Sequence, residues 1–192
     1  MKRIQVKAEP ATFKGRKALR VADAAPGAAD EGRLALLSGT AFRDGTIEVE
    51  LAGEPGPAAT EGARGFTGIA FRVAADASRF ECFYLRPTNG RADDQVRRNH
   101  SVQYISIPGF PWQKLRKEFP EKYESYVDLV PGEWTKVRIE VQGDKARLFV
   151  HGAVQPTLLV NDLKQGASAG AIGLWIGPGT VAHFADLRVT KK

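Results

Sequence analysis

The sequence predicts an all-β protein, built as a sandwich or a barrel. Three observations carry that prediction. Short runs alternating apolar and polar side chains recur along the chain, Gly, Pro, Asn and Asp punctuate them, and only one segment has helical character.

The runs fall in order at 17–22, 33–37, 46–51, 65–73, 80–86, 101–107, 135–141, 146–151, 170–176 and 181–189, about ten strands and more than one small sheet usually holds. TIEVEL at 46–51 is the clearest. Ile47, Val49 and Leu51 share one face while Thr46, Glu48 and Glu50 take the other, and Asp44-Gly45 marks a turn ahead of them. Two hairpins are explicit. One pairs 135–141 with 146–151 across Gly143-Asp144, and the other pairs 65–73 with 80–86 through 74–78. The stretches 22–32 and 53–65 have the composition of surface loops. The segment 113–126 predicts one or two helical turns within an excursion from the sheet, since Pro120 breaks any longer helix.

Composition narrows the partners. The 192 residues fit one domain, 1–192, large enough to bury a core without metal or disulfide support. Cys82 is the one cysteine, so neither an intrachain disulfide nor a cysteine zinc site can form. Lys and Arg number 28 against 22 Asp and Glu, a net charge of +6, but the cations are scattered among acids. This predicts a solvated surface and no nucleic-acid partner. Nowhere is there the run of about 18 apolar residues that spans a membrane, and the start, MKRIQVKAEPATFKG, lacks the apolar core of a leader. The expected compartment is the cytoplasm if Met1 is the native start, and the periplasm or the exterior if a leader has been removed.

Chemistry concentrates at 80–104, "FECFYLRPTNGRADDQVRRNHSVQY". With Ile69, Phe71, Val73, Phe83 and Leu85 turned to the core, alternation sends Gly68, Ala70, Arg72, Cys82, Tyr84 and Arg86 to the opposite face. Tyr84 there can stack on a sugar ring, and Arg72 and Arg86 can hold vicinal hydroxyls or a carboxylate through paired hydrogen bonds. Arg97, Asn99, His100, Gln103 and Tyr104 follow at the entry to the next strand, where either alternating set gives a polar row. Trp112, in the Pro-bounded "PGFPWQKL", is a stacking platform or a plug that pins the excursion to the sheet.

His100 either has a structural role, as a lone histidine commonly does, or acts as a general base near neutral pH, with Asp94 or Glu81 as its acidic partner if the protein is an enzyme. Asp93 and Asp94 are adjacent and point apart in an extended chain, so they form no dyad by themselves. His151 and His183 lie in separate strands without carboxylate or cysteine at ligand spacing, and no metal site is expected. No phosphate-binding glycine loop, nucleophile elbow, HExxH or dinucleotide fingerprint occurs, and Gly65-Phe-Thr-Gly68 lies within a strand. Nucleotide-dependent and serine-hydrolase chemistry are thereby excluded.

The segments "GFTGIAFRV", "FECFYLRP", "PGEWTKVRIEVQGDKARLFVHG" and "GAIGLWIGPGTVAHFADLRV" give the chain its resemblance to a known family. It resembles the concanavalin A-like lectin/glucanase jelly rolls, in particular the laminin-G-like and DUF1080 (3-keto-disaccharide hydrolase-like) branch. The likeness covers most of 33–189. It implies a jelly-roll β-sandwich of two antiparallel sheets with a carbohydrate groove on the concave sheet, and an oligosaccharide or glycoside as partner. No cofactor is implied, although the family allows a structural Ca²⁺ and no loop here selects itself for one. The paired-glutamate motif of the glucanase members is missing, since Glu48-Val-Glu50 sits on a strand with no other site chemistry. Three functions follow as expectations. The first is a carbohydrate-recognising jelly roll; the second is a glycan-processing hydrolase or lyase on the same groove; the third is a laminin-G-type protein-interaction module using its loop rims.

Overall fold

The computed structural model describes residues 1–24, 32–57 and 59–192. Most of the expected loop at 22–32 lies outside them. Among the described residues, fourteen strands form two antiparallel sheets of seven. In chain order the elements are β1 (Lys2–Ile4), β2 (Val6–Phe13), β3 (Arg16–Asp23), β4 (Leu34–Leu36), β5 (Gly45–Pro55), β6 (Thr67–Val73), β7 (Phe80–Leu85), α1 (Gln95–Asn99), β8 (Val102–Ile107), α2 (Trp112–Glu118), β9 (Glu124–Ser125), β10 (Thr135–Gln142), β11 (Lys145–Val150), β12 (Leu158–Val160), β13 (Ala171–Ile176) and β14 (Thr180–Lys191). The front sheet runs β1-β4-β13-β6-β7-β8-β9, and the back sheet β12-β11-β10-β5-β14-β3-β2. The fold is the antiparallel jelly-roll sandwich that the alternation and the resemblance predict.

β5 anchors the back sheet between β10 and β14. Its Ile47, Val49 and Leu51 are buried while Glu48 and Glu50 remain partly exposed, as period two requires. Ile139 opposite Ile47, and Val137 opposite Val49, continue the same inner face. The strands not predicted are β1, β2, β9 and β12. β2 carries Pro10 and alternates charged with small residues, and it sits at the sheet's edge, where a missing N–H leaves no ladder bond unmade. β1, β9 and β12 are two or three residues long, too short for alternation to register.

In the front sheet, Ile69 lies opposite Phe83, and Phe83 opposite Tyr104, so this row faces the back sheet. The outer row is Gly68 opposite Tyr84, and Tyr84 opposite Gln103, with Trp175 on the other side of Gly68. A Cβ on Gly68 would stand 2.1 Å from the Phe83 carbonyl oxygen, so glycine is required for β6 to lie this close to β7. The gap it leaves is covered by Tyr84 and Trp175, whose rings meet at 4.7 Å.

The excursion between β7 and β9 differs in detail from its prediction. The helix ends at Glu118, ahead of Pro120, and Glu124 and Ser125 return to the sheet as β9 beside β8. A second helical segment, α1, occupies 95–99, where the charged sequence gave no apolar period to reveal it. Leu115 of α2 is fully buried, while Trp112 and Phe119 are only partly so.

Candidate functional site

A groove crosses the outer face of the front sheet. Its larger compartment, about 510 Å³, is lined by Arg64, Arg86, Asn89, Asp94, Val96, Arg97, His100 and Arg116. A second compartment, about 300 Å³, is lined mainly by apolar and aromatic groups, among them Ala63, Tyr84, Trp175 and Pro178. Gly62, Phe66 and Trp112 line both, so the two adjoin. One end is cationic and the other aromatic.

Each wall follows from local structure. A 3-10 turn at Pro87–Asn89 carries the chain out of β7 and places Asn89 beside the cavity. Asp94 caps α1, its Oδ1 accepting from the Arg97 backbone N–H at 2.7 Å. Arg97 then reaches back, donating from Nε to Asn89 Oδ1 at 2.9 Å and from Nη2 to the Thr88 carbonyl and hydroxyl oxygens. Asn89 Nδ2 and Arg86 Nη1 both donate to the His100 carbonyl oxygen, which fixes the junction of α1 with β8. On the far side Trp112 and Arg116 stand one turn apart on α2, with the guanidinium 4.7 Å from the indole centroid.

Glu124 is the floor's organising charge. Its Oε1 accepts from Arg86 Nη1 at 3.0 Å and from Arg116 Nη2, its Oε2 accepts from Arg116 Nε at 2.9 Å, and His100 Nε2 lies 3.6 Å away. Burial alone would raise its pKa, but the hydrogen bond from Arg116 and the charges of Arg86 and Arg116 outweigh burial and hold it below the ordinary value. Arg86 itself is enclosed, donating from Nη2 to Tyr84 Oη at 2.8 Å and to Gln103 Oε1 at 2.9 Å. His100 is shifted down, mainly by burial and despite the nearby Glu124, and the shift favours the neutral imidazole.

The groove thus brings together Tyr84, Arg86, Asp94, Arg97, His100 and Trp112 from the residues singled out in the sequence. Gln103 lies beneath them, fully buried and bonded to Arg86. Asn99 is exposed on α1 and accepts from Gln95 instead of facing the cavity.

Three others lie elsewhere. Arg72 occupies a bulge where two residues of β6 oppose one of β13, and its φ of 53° turns it from the outer face into the seam between the sheets. There it is fully buried and donates to the carbonyls of Arg43, Gly143 and Gly166 and to Asp44 Oδ1. Tyr104 follows Gln103 directly, so the two take opposite faces, and Tyr104 points inward. Its hydroxyl donates to Glu81 Oε2 at 2.5 Å and accepts from the Lys164 backbone N–H. Glu81 shares this interior site, accepting also from the Gln165 backbone N–H, and burial raises its pKa.

The groove also contains residues the sequence did not single out. Arg64 and Phe66 flank the entry to β6, and alternation from Tyr84 across Gly68 could have found Trp175. Arg116 was detectable as the residue one helical turn after Trp112. Glu124 gave no signal, because it belongs to a two-residue strand.

No helix among the described residues is long and apolar enough to cross a membrane. Nor do three His, Cys, Asp or Glu side chains among those residues gather to hold a metal ion.

No family model matches the chain, and no curated protein does. Solved structures do resemble it. A Bacillus subtilis protein of unknown function with a galectin-like fold aligns with a TM-score of 0.59 at 11% identity, covering 97% of this chain and 90% of that one. The carbohydrate-binding module CBM66 of Bacillus subtilis aligns at 0.54 and 13% identity, over 96% and 94%. A candidate glycosyl hydrolase of Parabacteroides distasonis aligns at 0.55 and 9% identity, over 95% and 83%. At these identities the likeness establishes the sandwich fold and nothing about the ligand.

Proposed function

We propose that this protein is a carbohydrate-binding jelly roll whose ligand lies in the groove on the outer face of the front sheet. The observation that carries the reading is the pairing of an aromatic compartment with a cationic one along a single groove. Apolar ring faces beside fixed hydrogen-bond donors match a sugar, which is apolar on its C–H faces and polar around its rim. The structural relatives that include a carbohydrate-binding module support the same reading at the level of fold.

Binding is favoured over hydrolysis by the state of the acids. A glycosidase needs a carboxyl group kept protonated near the scissile bond, facing a second carboxylate. Asp94, which lines the groove, is spent capping α1, and Glu124, buried beneath the lining arginines, has its pKa held down by two of them. Glu81, the carboxyl that burial does shift upward, faces the interior. His100 lines the groove 3.6 Å from Glu124, and this contact is what a hydrolase or lyase reading would rest on.

Calorimetric titration with a panel of oligosaccharides, followed by analysis of the recovered sugar, tests the proposal. Saturable binding with the sugar recovered intact, weakened by Trp112→Ala, is expected. Cleavage of the sugar, abolished by His100→Ala, would replace the binding reading with the enzymatic one.

A further inference from the structure

The cationic compartment holds more positive charge than the fold uses. Four guanidiniums, those of Arg64, Arg86, Arg97 and Arg116, line the compartment with the carboxylate of Asp94, and Glu124 lies buried beneath them. Arg86 and Arg116 are paired with Glu124. Arg64 and Arg97 have no ion pair with a carboxylate among the described residues: the Arg64 guanidinium donates only to the Glu61 and Ala63 carbonyls of its own loop, and the Arg97 guanidinium only to neutral oxygens of Thr88 and Asn89.

Arg64 feels the charge of its neighbours. The Arg64 pKa is lowered, first by burial and then by the charge of Arg97, with Arg86 adding to it. The Glu61 carboxylate acts in the opposite sense, less strongly than Arg97. Two partly buried guanidiniums lining one cavity are a ready receptor for an oxyanion, which Arg64 can meet through Nε and Nη2 and Arg97 through Nη1, since Asn89 and Thr88 engage its Nε and Nη2.

Resting on the carbohydrate reading of the groove, we propose that it takes an acidic sugar residue, whose carboxylate or sulfate sits between Arg64 and Arg97 while a neighbouring neutral ring stacks in the Phe66–Trp112 compartment. The anion offsets part of the positive charge that lines the cavity. The two compartments adjoin through Phe66 and Trp112, so adjacent residues of one glycan chain can occupy both.

The test uses matched pairs: a galacturonate oligosaccharide against its neutral methyl ester, and a sulfated galactan oligosaccharide against its desulfated form. Each is titrated into the full chain, into Arg64→Gln and into Arg97→Gln, with melting temperatures measured alongside. At least one acidic member should bind about tenfold or more tightly than its neutral partner, and that preference should fall as salt is added. Which pair responds identifies carboxylate or sulfate. Both variants should lose the preference, and Arg64→Gln carries the test alone if Arg97→Gln loosens α1. Equal or tighter binding of the neutral partners, or a preference that survives Arg64→Gln, overturns the acidic-sugar proposal and leaves the carbohydrate site standing. Absence of binding by every member overturns both.

Discussion

Arg86 and Glu124, at the ends of two strands separated by β8, form an ion pair at 3.0 Å with their side chains only 6% and 3% exposed. A pair so withdrawn from water is stable only while both charges remain, because either one left alone keeps its desolvation cost without the attraction that offsets it. The groove floor therefore depends on Glu124 as much as on the arginines that line it.

Replacing Glu124 with Ala should lower stability by about 3 kcal/mol in urea titrations, from the range for breaking a buried pair. Arg86→Ala should cost a similar amount, since it also strips a donor from Tyr84, Gln103 and the His100 carbonyl. A change of under about 0.5 kcal/mol, typical of exposed pairs, would mean that the floor does not rely on this contact.

The two buried glutamates should give stability profiles of opposite slope. Glu124 has a depressed folded pKa, so its contribution is present above the unfolded value of about 4.3 and is lost as pH falls through the folded pKa. Glu81 has a raised folded pKa, so its contribution is complete below that unfolded value and is lost as pH rises through the folded pKa. Comparing Glu81→Gln with the parent between pH 4 and 8 isolates this term. The stability difference should shift in favour of the variant as pH rises, and a pH-independent difference would contradict a raised pKa at Glu81.

How much of this was legible in the sequence depends on the geometry that each residue obeys. Tyr84 and Arg86 follow from plain alternation in a regular hairpin, and the structure has them on the outer face as the pattern demands. Arg72 does not, because one inserted residue and a left-handed backbone reverse its direction, and neither is written in the apolar pattern. Gln103 and Tyr104 could not both have faced the groove, being adjacent in one strand. The sequence left that choice open, and the pairing of Tyr104 with Phe83 settles it. Asp94, Arg97 and His100 reach the groove through a helical turn, a geometry that the extended reading of this stretch did not include.

Cys82 is fully buried in the outer row of β7 and should resist thiol reagents in the folded state. Labelling should become fast only in denaturant. Rapid modification under native conditions would mean that the front sheet's outer face opens on the time scale of the reaction.

Trp112→Ala should leave the fold in place, since the side chain is only partly buried, and should weaken ligand binding by about 1–2 kcal/mol through lost stacking. His100→Ala should alter affinity far less. Equal affinity of parent and Trp112→Ala for the same sugar would remove Trp112 from the site.

The most direct measurement is a side-chain and backbone amide chemical-shift map of the full chain titrated with the oligosaccharide that binds best. If the groove is the carbohydrate site, the largest shifts fall on the Trp112 indole N–H, the Arg64 and Arg97 Nε–H groups and the backbone of 62–66 and 94–100, while the back sheet around β5 and β10 stays unchanged. Shifts confined to the back sheet or to loop rims away from Trp112, with those groove signals unmoved, would contradict it.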